Sequence, residues 1–217
     1  MRERNKQYLV LGLGRFGESL AMSLYKLGHE VLAVDSDADL VESIAPHVTQ
    51  AIQIDATDEG ALESLGVRNF DAAIVSIGQN MRDSILVCVL LKELGVPYLI
   101  AKATDELHAK VLRKVGVDRV VFPERDMGIR VAKSLLTPNV LELIDLSDDY
   151  QLVETIVPTQ WTGETIVGLD VRRHFGVIIL AVHRGKEFFV SPAPDFVFEA
   201  GDIALVLGKK DDIDKLE

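Results

Sequence analysis

Cysteine is almost absent. Cys88 is the only one in 217 residues, and a lone thiol cannot form an intramolecular disulfide. A secreted scaffold stapled by disulfides is therefore excluded, and a reducing, cytoplasmic setting is expected. Long apolar runs are missing as well. The longest, Ile85 to Leu91, falls far short of the roughly 20 residues that span a bilayer, so no direct membrane insertion is expected. The opening Met1-Arg2-Glu3-Arg4-Asn5-Lys6 passes into a strand-like run without the apolar segment of a signal peptide. Positive charge is scarce: 23 Lys and Arg stand against 34 Asp and Glu, a net charge of −11. That balance argues against wrapping DNA or RNA and against docking on anionic lipid, so no nucleic-acid partner is expected.

Catalytic signatures are equally thin. His29, His47, His108, His174 and His183 show no H-x-x-x-H or H-x-x-E pairing. No G-x-S-x-G elbow and no Walker A lysine loop occurs. Cys88 lies in an apolar helix face and reads as core rather than nucleophile. A dehydrogenase would need an acid–base pair beside its nicotinamide, and none is recognisable. Binding without turnover is the expectation.

What is present is apolar bulk and alternation. Apolar residues make up 48 % of the chain, enough to exclude disorder and to build one large domain or two small ones. The acidic surplus is uneven: residues 1–137 carry 16 basic and 19 acidic side chains, and 138–217 carry 7 and 15. We therefore expect an N-terminal lobe over 1–137, a connecting segment over 138–147 and a C-terminal lobe over 148–217.

In the first lobe, strands are expected at 8–11, 31–35, 49–54, 72–77, 98–101 and 119–121. Helices are expected at 14–27, 38–44, 58–65, 82–94, 105–115 and 125–136. Apolar strands without clean alternation, separated by helices, predict an α/β, doubly wound, Rossmann-like parallel sheet. The second lobe reads as a small α+β module. Its strands are expected at 152–157, 177–182, 187–190 and 203–207, with a helix around 167–174 and a hairpin turn at Arg184-Gly185-Lys186.

Gly12-Leu13-Gly14-Arg15-Phe16-Gly17 is a G-x-G-x-x-G between a strand and a helix, with Asp35 ending the following strand. Alone the string is weak; in this setting it predicts a nucleotide site. Gly12 permits the tight turn, Gly14 lets a diphosphate approach the backbone, and Gly17 lets the helix pack closely on the sheet. The N–H groups of the helix start face the anion. Asp35 can accept from ribose hydroxyls and would repel a 2′-phosphate, which disfavours NADP. Arg15 suits extra phosphate charge, or is simply a solvated loop arginine. Further strand ends deliver Asp55-Ala56-Thr57, Ser76-Ile77-Gly78-Gln79 and Lys102-Ala103-Thr104 to the crevice. Asp55 and Thr57 could equally be helix caps.

These segments, together with Phe122-Pro123-Glu124-Arg125-Asp126-Met127-Gly128, resemble the cytosolic regulatory subunits of Ktr/Trk potassium transporters, whose module regulates the conductance of K⁺ (the RCK domain). The resemblance covers nearly the whole chain. It implies two RCK lobes in an octameric ring docked beneath a membrane-embedded K⁺-translocating subunit of the KtrB/TrkH kind. ATP would favour the active shape and ADP the inactive one, with NAD(H) as an alternative ligand. Arg15 would reach the terminal phosphates, and Asp35 the ribose, with Ser36 and Asp37 adjoining. Asp55 and Ala56 would border the base, with Thr57 beside them. Ile77, Gly78, Gln79, Lys102, Ala103 and Thr104 would line the cleft, with His108 nearby. Glu124 would hold a divalent cation, Mg²⁺ or Ca²⁺, between the nucleotides of two protomers. In the C-terminal lobe, Arg172 would meet the phosphate of cyclic di-AMP between Ile166, Ile178 and Pro192. The polar residue that the pattern carries near Ile178 is missing here, and Arg172-Arg173 also suit a helix end on their own. Readings from other classes are an NAD(H)-dependent dehydrogenase and a free-standing NADH-sensing module.

Overall fold

The computed structural model describes residues 5–78, 80–136 and 140–216, and these fall into two compact units, Met1–Glu124 and Arg125–Glu217. In the first, strands β1 (Gln7–Leu11), β2 (Glu30–Asp35), β3 (Gln50–Gln53), β4 (Ala72–Val75), β5 (Leu99–Lys102) and β6 (Arg119–Val121) alternate with helices. The helices are α1 (Arg15–Lys26), α2 (Ala38–Ile44), α3 (Glu59–Ser64), α4 (Met81–Glu93) and α5 (Glu106–Lys114); α6 (Pro123–Leu136) follows β6 and from Arg125 on belongs to the second unit. The strands form one parallel sheet in the order β3-β2-β1-β4-β5-β6. The doubly wound class read from the sequence is thus the fold observed.

Side-chain alternation along each strand feeds two cores. Leu9, Leu11, Ala73 and Val75 point into one layer with Val87, Leu91 and Leu112. Val10 and Ile74 point into the other with Leu13, Ala21 and Ile44. Central strands covered on both faces have no reason to alternate apolar with polar, so β1 and β4 read as unbroken apolar runs. The chain winds outward from β1 to β3 and then crosses to β4. The loops leaving the carboxyl ends of β1 and β4 therefore diverge, and a crevice opens between them.

The second unit holds β7 (Val140–Asp145), β8 (Tyr150–Ile156), β9 (Ile178–Arg184), β10 (Glu187–Val190) and β11 (Ile203–Lys209), with the short helices α7 (Ile166–Leu169), α8 (Val171–His174) and α9 (Lys210–Ile213). Its sheet runs β10-β9-β11-β8-β7 with every neighbouring pair antiparallel. Trp161, Phe198, Val153, Val182 and Val206 fill its core. Arg184, at the end of β9, ties this unit together. Its Nε and Nη2 donate to Asp202 Oδ1 and Oδ2, both at 2.7 Å, Nη2 also to the Val197 carbonyl at 2.8 Å, and Nη1 to Glu199 at 2.5 Å. The guanidinium also lies 5.0 Å from the centre of the Phe196 ring, within cation–π range.

Three segments differ from the sequence reading. Residues 140–145, expected within a connecting segment, form β7 and pair with β8 through a turn in which the Leu146 and Ser147 N–H groups both donate to the Tyr150 carbonyl. The helix expected around 167–174 is broken in two at Asp170, whose φ of 41° is left-handed. The strand expected over 72–77 stops at Val75, because Ser76 turns to bond the glycine loop. Thr137-Pro138-Asn139, where the charge shift falls, lie outside the described residues.

Candidate functional site

The glycine loop joins β1 to α1. Gly12 takes a φ of 91°, closed to most side chains, and its N–H donates to the Val34 carbonyl at 2.8 Å. Ser76 Oγ donates to the Gly12 carbonyl. Gly17 is buried, and a Cβ built on it would stand 1.9 Å from Gly12 O and 2.4 Å from Ser76 Oγ. Gly14 is the opposite case: exposed, extended at the N-cap of α1, with nothing within 4 Å of a built Cβ. Its open side is where an anion can meet the N–H groups at the start of α1, which have no partner within the helix. Gly14→Ala is expected to cost at most about 1 kcal/mol of stability while losing most nucleotide affinity. Calorimetry and thermal unfolding of one preparation check both halves.

Asp35 joins β2 to the same loop. Its Oδ2 accepts the Leu13 N–H at 2.6 Å and its Oδ1 the Asp37 N–H at 2.9 Å. An ionised carboxylate offers about four acceptor positions, so about two remain for ribose hydroxyls. Asp37 caps α2, accepting from Asp39 N–H at 2.9 Å. Asp55 holds a turn: its Oδ1 accepts from Thr57 Oγ1 at 2.7 Å and Thr57 N–H at 2.9 Å, and these bonds keep its carboxyl below the ordinary value of 3.8.

A cavity of about 380 Å³ opens between these elements. Of the residues singled out from the sequence, Gly12, Gly14, Asp35, Ser36, Asp37, Asp55, Ala56, Thr57, Ser76, Ile77 and Gly78 line it. Val34, Leu40, Ile54, Asn80 and Asp83 also line it. Asn80 and Asp83 are missing from the sequence reading, although Asn80 is the N-cap of α4 and its spacing to Asp83 is a readable capping signal. Leu13, Phe16, Gly17, Ala103 and Thr104 are absent from the lining; Leu13, Gly17 and Ala103 are buried. Gln79 lies outside the described residues.

The charged residues beyond the lining cluster at Glu124. Lys102 Nζ donates to Glu124 Oε1. That bond, outweighing partial burial and helped by the Arg15 charge, holds the Glu124 carboxyl below its ordinary value. Arg15 itself is exposed at the first position of α1. His108 is fully buried, its Nδ1 3.3 Å from Thr104 Oγ1, and Nε2 has no partner among the described residues. Burial lowers its pKa against the pull of Asp105, which keeps the ring neutral at physiological pH. Cys88 is buried and its thiol is pushed up to about 12 by desolvation, so it is no nucleophile.

Among the described residues no group of three or more His, Cys, Asp or Glu could hold a metal ion. A divalent cation at Glu124 would need oxygen ligands beyond these side chains, such as phosphate oxygens. In the second unit, Arg172 and Ile178 are exposed and Ile166 and Pro192 half-buried. None of the cavities lined by Gly12, by Met127 or by Gln7 includes any of the four.

The parallel sheet, the glycine loop and the crevice at its switch point define a doubly wound α/β protein built around a glycine-rich turn. The TrkA-N domain family matches residues 8–123, and the TrkA-C domain family residues 152–217. The chain belongs to the TrkA-type family of potassium uptake proteins. It is 44 % identical over 216 residues to the Ktr system potassium uptake protein A of Bacillus subtilis (strain 168), covering 100 % of this chain and 97 % of that protein. It is 37 % identical over 211 residues to the Ktr system potassium uptake protein A of Vibrio alginolyticus, covering 97 % and 96 %. Among solved structures, the GsuK RCK domain superposes with a TM-score of 0.65 at 20 % identity, over 100 % of this chain and 48 % of that one. The GsuK channel bound to NAD does so with 0.63 at 20 %, over 100 % and 40 %. This chain thus has the RCK fold, and spans less than half of those structures' chains. No helix among the described residues is long and apolar enough to cross a membrane.

Proposed function

We propose that this chain is the cytoplasmic, nucleotide-sensing regulatory subunit of a Ktr-type potassium uptake system, acting on a separate membrane subunit that carries the ion. The observation behind it is the cavity over Gly12 and Gly14, lined also by Asp35 and Asp55, in a chain 44 % identical along its length to a Ktr potassium uptake protein. ATP and ADP are the proposed ligands. The N–H groups at the start of α1 receive the phosphates, and the exposed Arg15 supplies charge to the terminal ones. Asp35 accepts from the ribose with the positions that Leu13 and Asp37 leave open. Asp55 and Ala56 border the base. NAD(H) is the alternative, since Asp35 suits any ribose with free hydroxyls. Glu124 would hold a divalent cation shared with the phosphates. A γ-phosphate adds contacts that ADP lacks, and a subunit with two shapes is biased by that difference in contact energy.

The assembly proposed is a homo-oligomeric ring, of the octameric kind. Met127, Ile129 and Val131 on α6, and Leu141 and Ile144 on β7, are exposed and line a second cavity of about 510 Å³. Apolar surface of this kind suits burial against another copy. Ile166, Arg172, Ile178 and Pro192 do not enter the proposal.

Arg15→Ala is expected to weaken ATP about tenfold and NAD much less, read by calorimetric titration of both ligands. Equal losses would refute the terminal-phosphate role of Arg15.

A further inference from the structure

The Lys102 side chain is only 14 % exposed, while that of Glu124 is 69 % exposed. Lys102 Nζ lies 3.2 Å from the position a Cβ on Gly78 would take, and Gly78 lines the cavity beside Gly12 and Gly14. The same Nζ donates to Glu124 Oε1, and Arg15 acts on that carboxylate from α1. One carboxylate and two cations thus gather beside Gly78, just beyond the cavity lining. Unpaired, the carboxylate would repel a polyphosphate; paired, it withholds the ammonium that the polyphosphate needs.

We infer that the Lys102–Glu124 pair is an exchange latch, in which the phosphates of an arriving nucleotide take Lys102 over and release Glu124 for a divalent cation. The inference rests on the nucleotide reading above and adds to it the means by which the two ligands are coupled. Before nucleotide binds, the ammonium neutralises Glu124, and a cation would have to displace it. Once the phosphates hold Lys102, Glu124 and the phosphate oxygens form an anionic site from which the ammonium has been withdrawn. Nucleotide and cation then favour each other, and by linkage the factor is the same in both directions.

A double-mutant cycle tests it without any metal. Wild type, Lys102→Met, Glu124→Gln and the double variant are titrated with ADP in EDTA by calorimetry, each first shown to be folded by thermal unfolding. The latch predicts that Glu124→Gln tightens ADP about fivefold when Lys102 is present, because the ammonium no longer has to leave a partner. In the Lys102→Met background the same change is expected to give less than about twofold. Equal gains in the two backgrounds would mean that Glu124 only repels phosphate through space, and the latch would be wrong. A loss of affinity on Glu124→Gln in the Lys102 background would mean that Glu124 merely orients the lysine, and would overturn the latch as well. Absence of ADP binding by all four folded variants would overturn the nucleotide reading together with the latch. ADP binding with an additive cycle would remove the latch alone.

Discussion

Replacing Gly17 with alanine is expected to destroy the glycine loop and nucleotide binding with it. The added Cβ would stand 1.9 Å from the Gly12 carbonyl oxygen and 2.4 Å from Ser76 Oγ, far inside contact distance. Neither obstacle can step aside cheaply. The Gly12 N–H is fixed to Val34 O and the Ser76 N–H to Leu11 O, each at 2.8 Å. Relief would have to come from shifting α1 away from the sheet, which opens the core around Ala21 and Leu13. Overpacking costs about 1–3 kcal/mol and more where backbone must move, so a loss of about 3 kcal/mol is expected in denaturant unfolding. The contrast with Gly14→Ala is the informative part, since two glycines of one motif are assigned opposite consequences. Similar stability losses for the two would contradict the loop geometry.

Arg184→Met is expected to lower the stability of the second unit by about 3–5 kcal/mol. The Asp202 side chain is fully buried, and without the guanidinium its charge is left with the Glu199 N–H, 2.9 Å away, and with no cation among the described residues. Glu199→Ala should cost less than about 1 kcal/mol, because that side chain is 64 % exposed. The pH dependence separates the cause. Burial pushes the Asp202 carboxyl up, but the Arg184 hydrogen bonds, the Glu199 N–H and the Arg184 charge outweigh it and hold it below the ordinary 3.8. A depressed carboxylate contributes stability that is full above its unfolded value and lost as pH falls through its folded one. Wild type should therefore lose this contribution only below about pH 4. In Arg184→Met the unpaired, buried carboxyl is raised instead, so its cost shrinks as the pH is lowered toward about 5. Thermal unfolding at about pH 5 and pH 7 reads the two slopes, and parallel slopes would count against the ion cluster as the source.

The N-terminal sheet is legible in the sequence because its physics is local. Buried parallel strands such as β1 and β4 are apolar throughout, each helix between them has its own periodicity, and glycines close several of them. Asp35 is legible through its spacing from the glycine loop. Its bond to the Leu13 N–H is not, since nothing in the chain marks which N–H a carboxylate will take. Lys102 and Glu124 each stand out, but their pairing is out of reach of a linear reading. It depends on β5 ending where α6 begins, a tertiary fact about two segments with a whole helix between them. In the second unit, Val140-Leu141-Glu142-Leu143-Ile144-Asp145 carries strand-forming residues, yet the charge shift and Pro138 before it signal a linker. Ser147-Asp148-Asp149, which reads as a boundary, is the turn of a hairpin. Asp170 breaks an expected helix through one left-handed residue that no periodicity reveals.

The cavity over Gly12 and Gly14 is proposed to bind an adenine nucleotide. Calorimetric titration of the full chain with ATP and Mg²⁺ tests it most directly. Saturable binding at one site per chain is expected, with most of it lost in the equally folded Gly14→Ala variant. A folded wild-type chain that takes up neither ATP, ADP nor NADH, or one whose binding is untouched by Gly14→Ala, would contradict it.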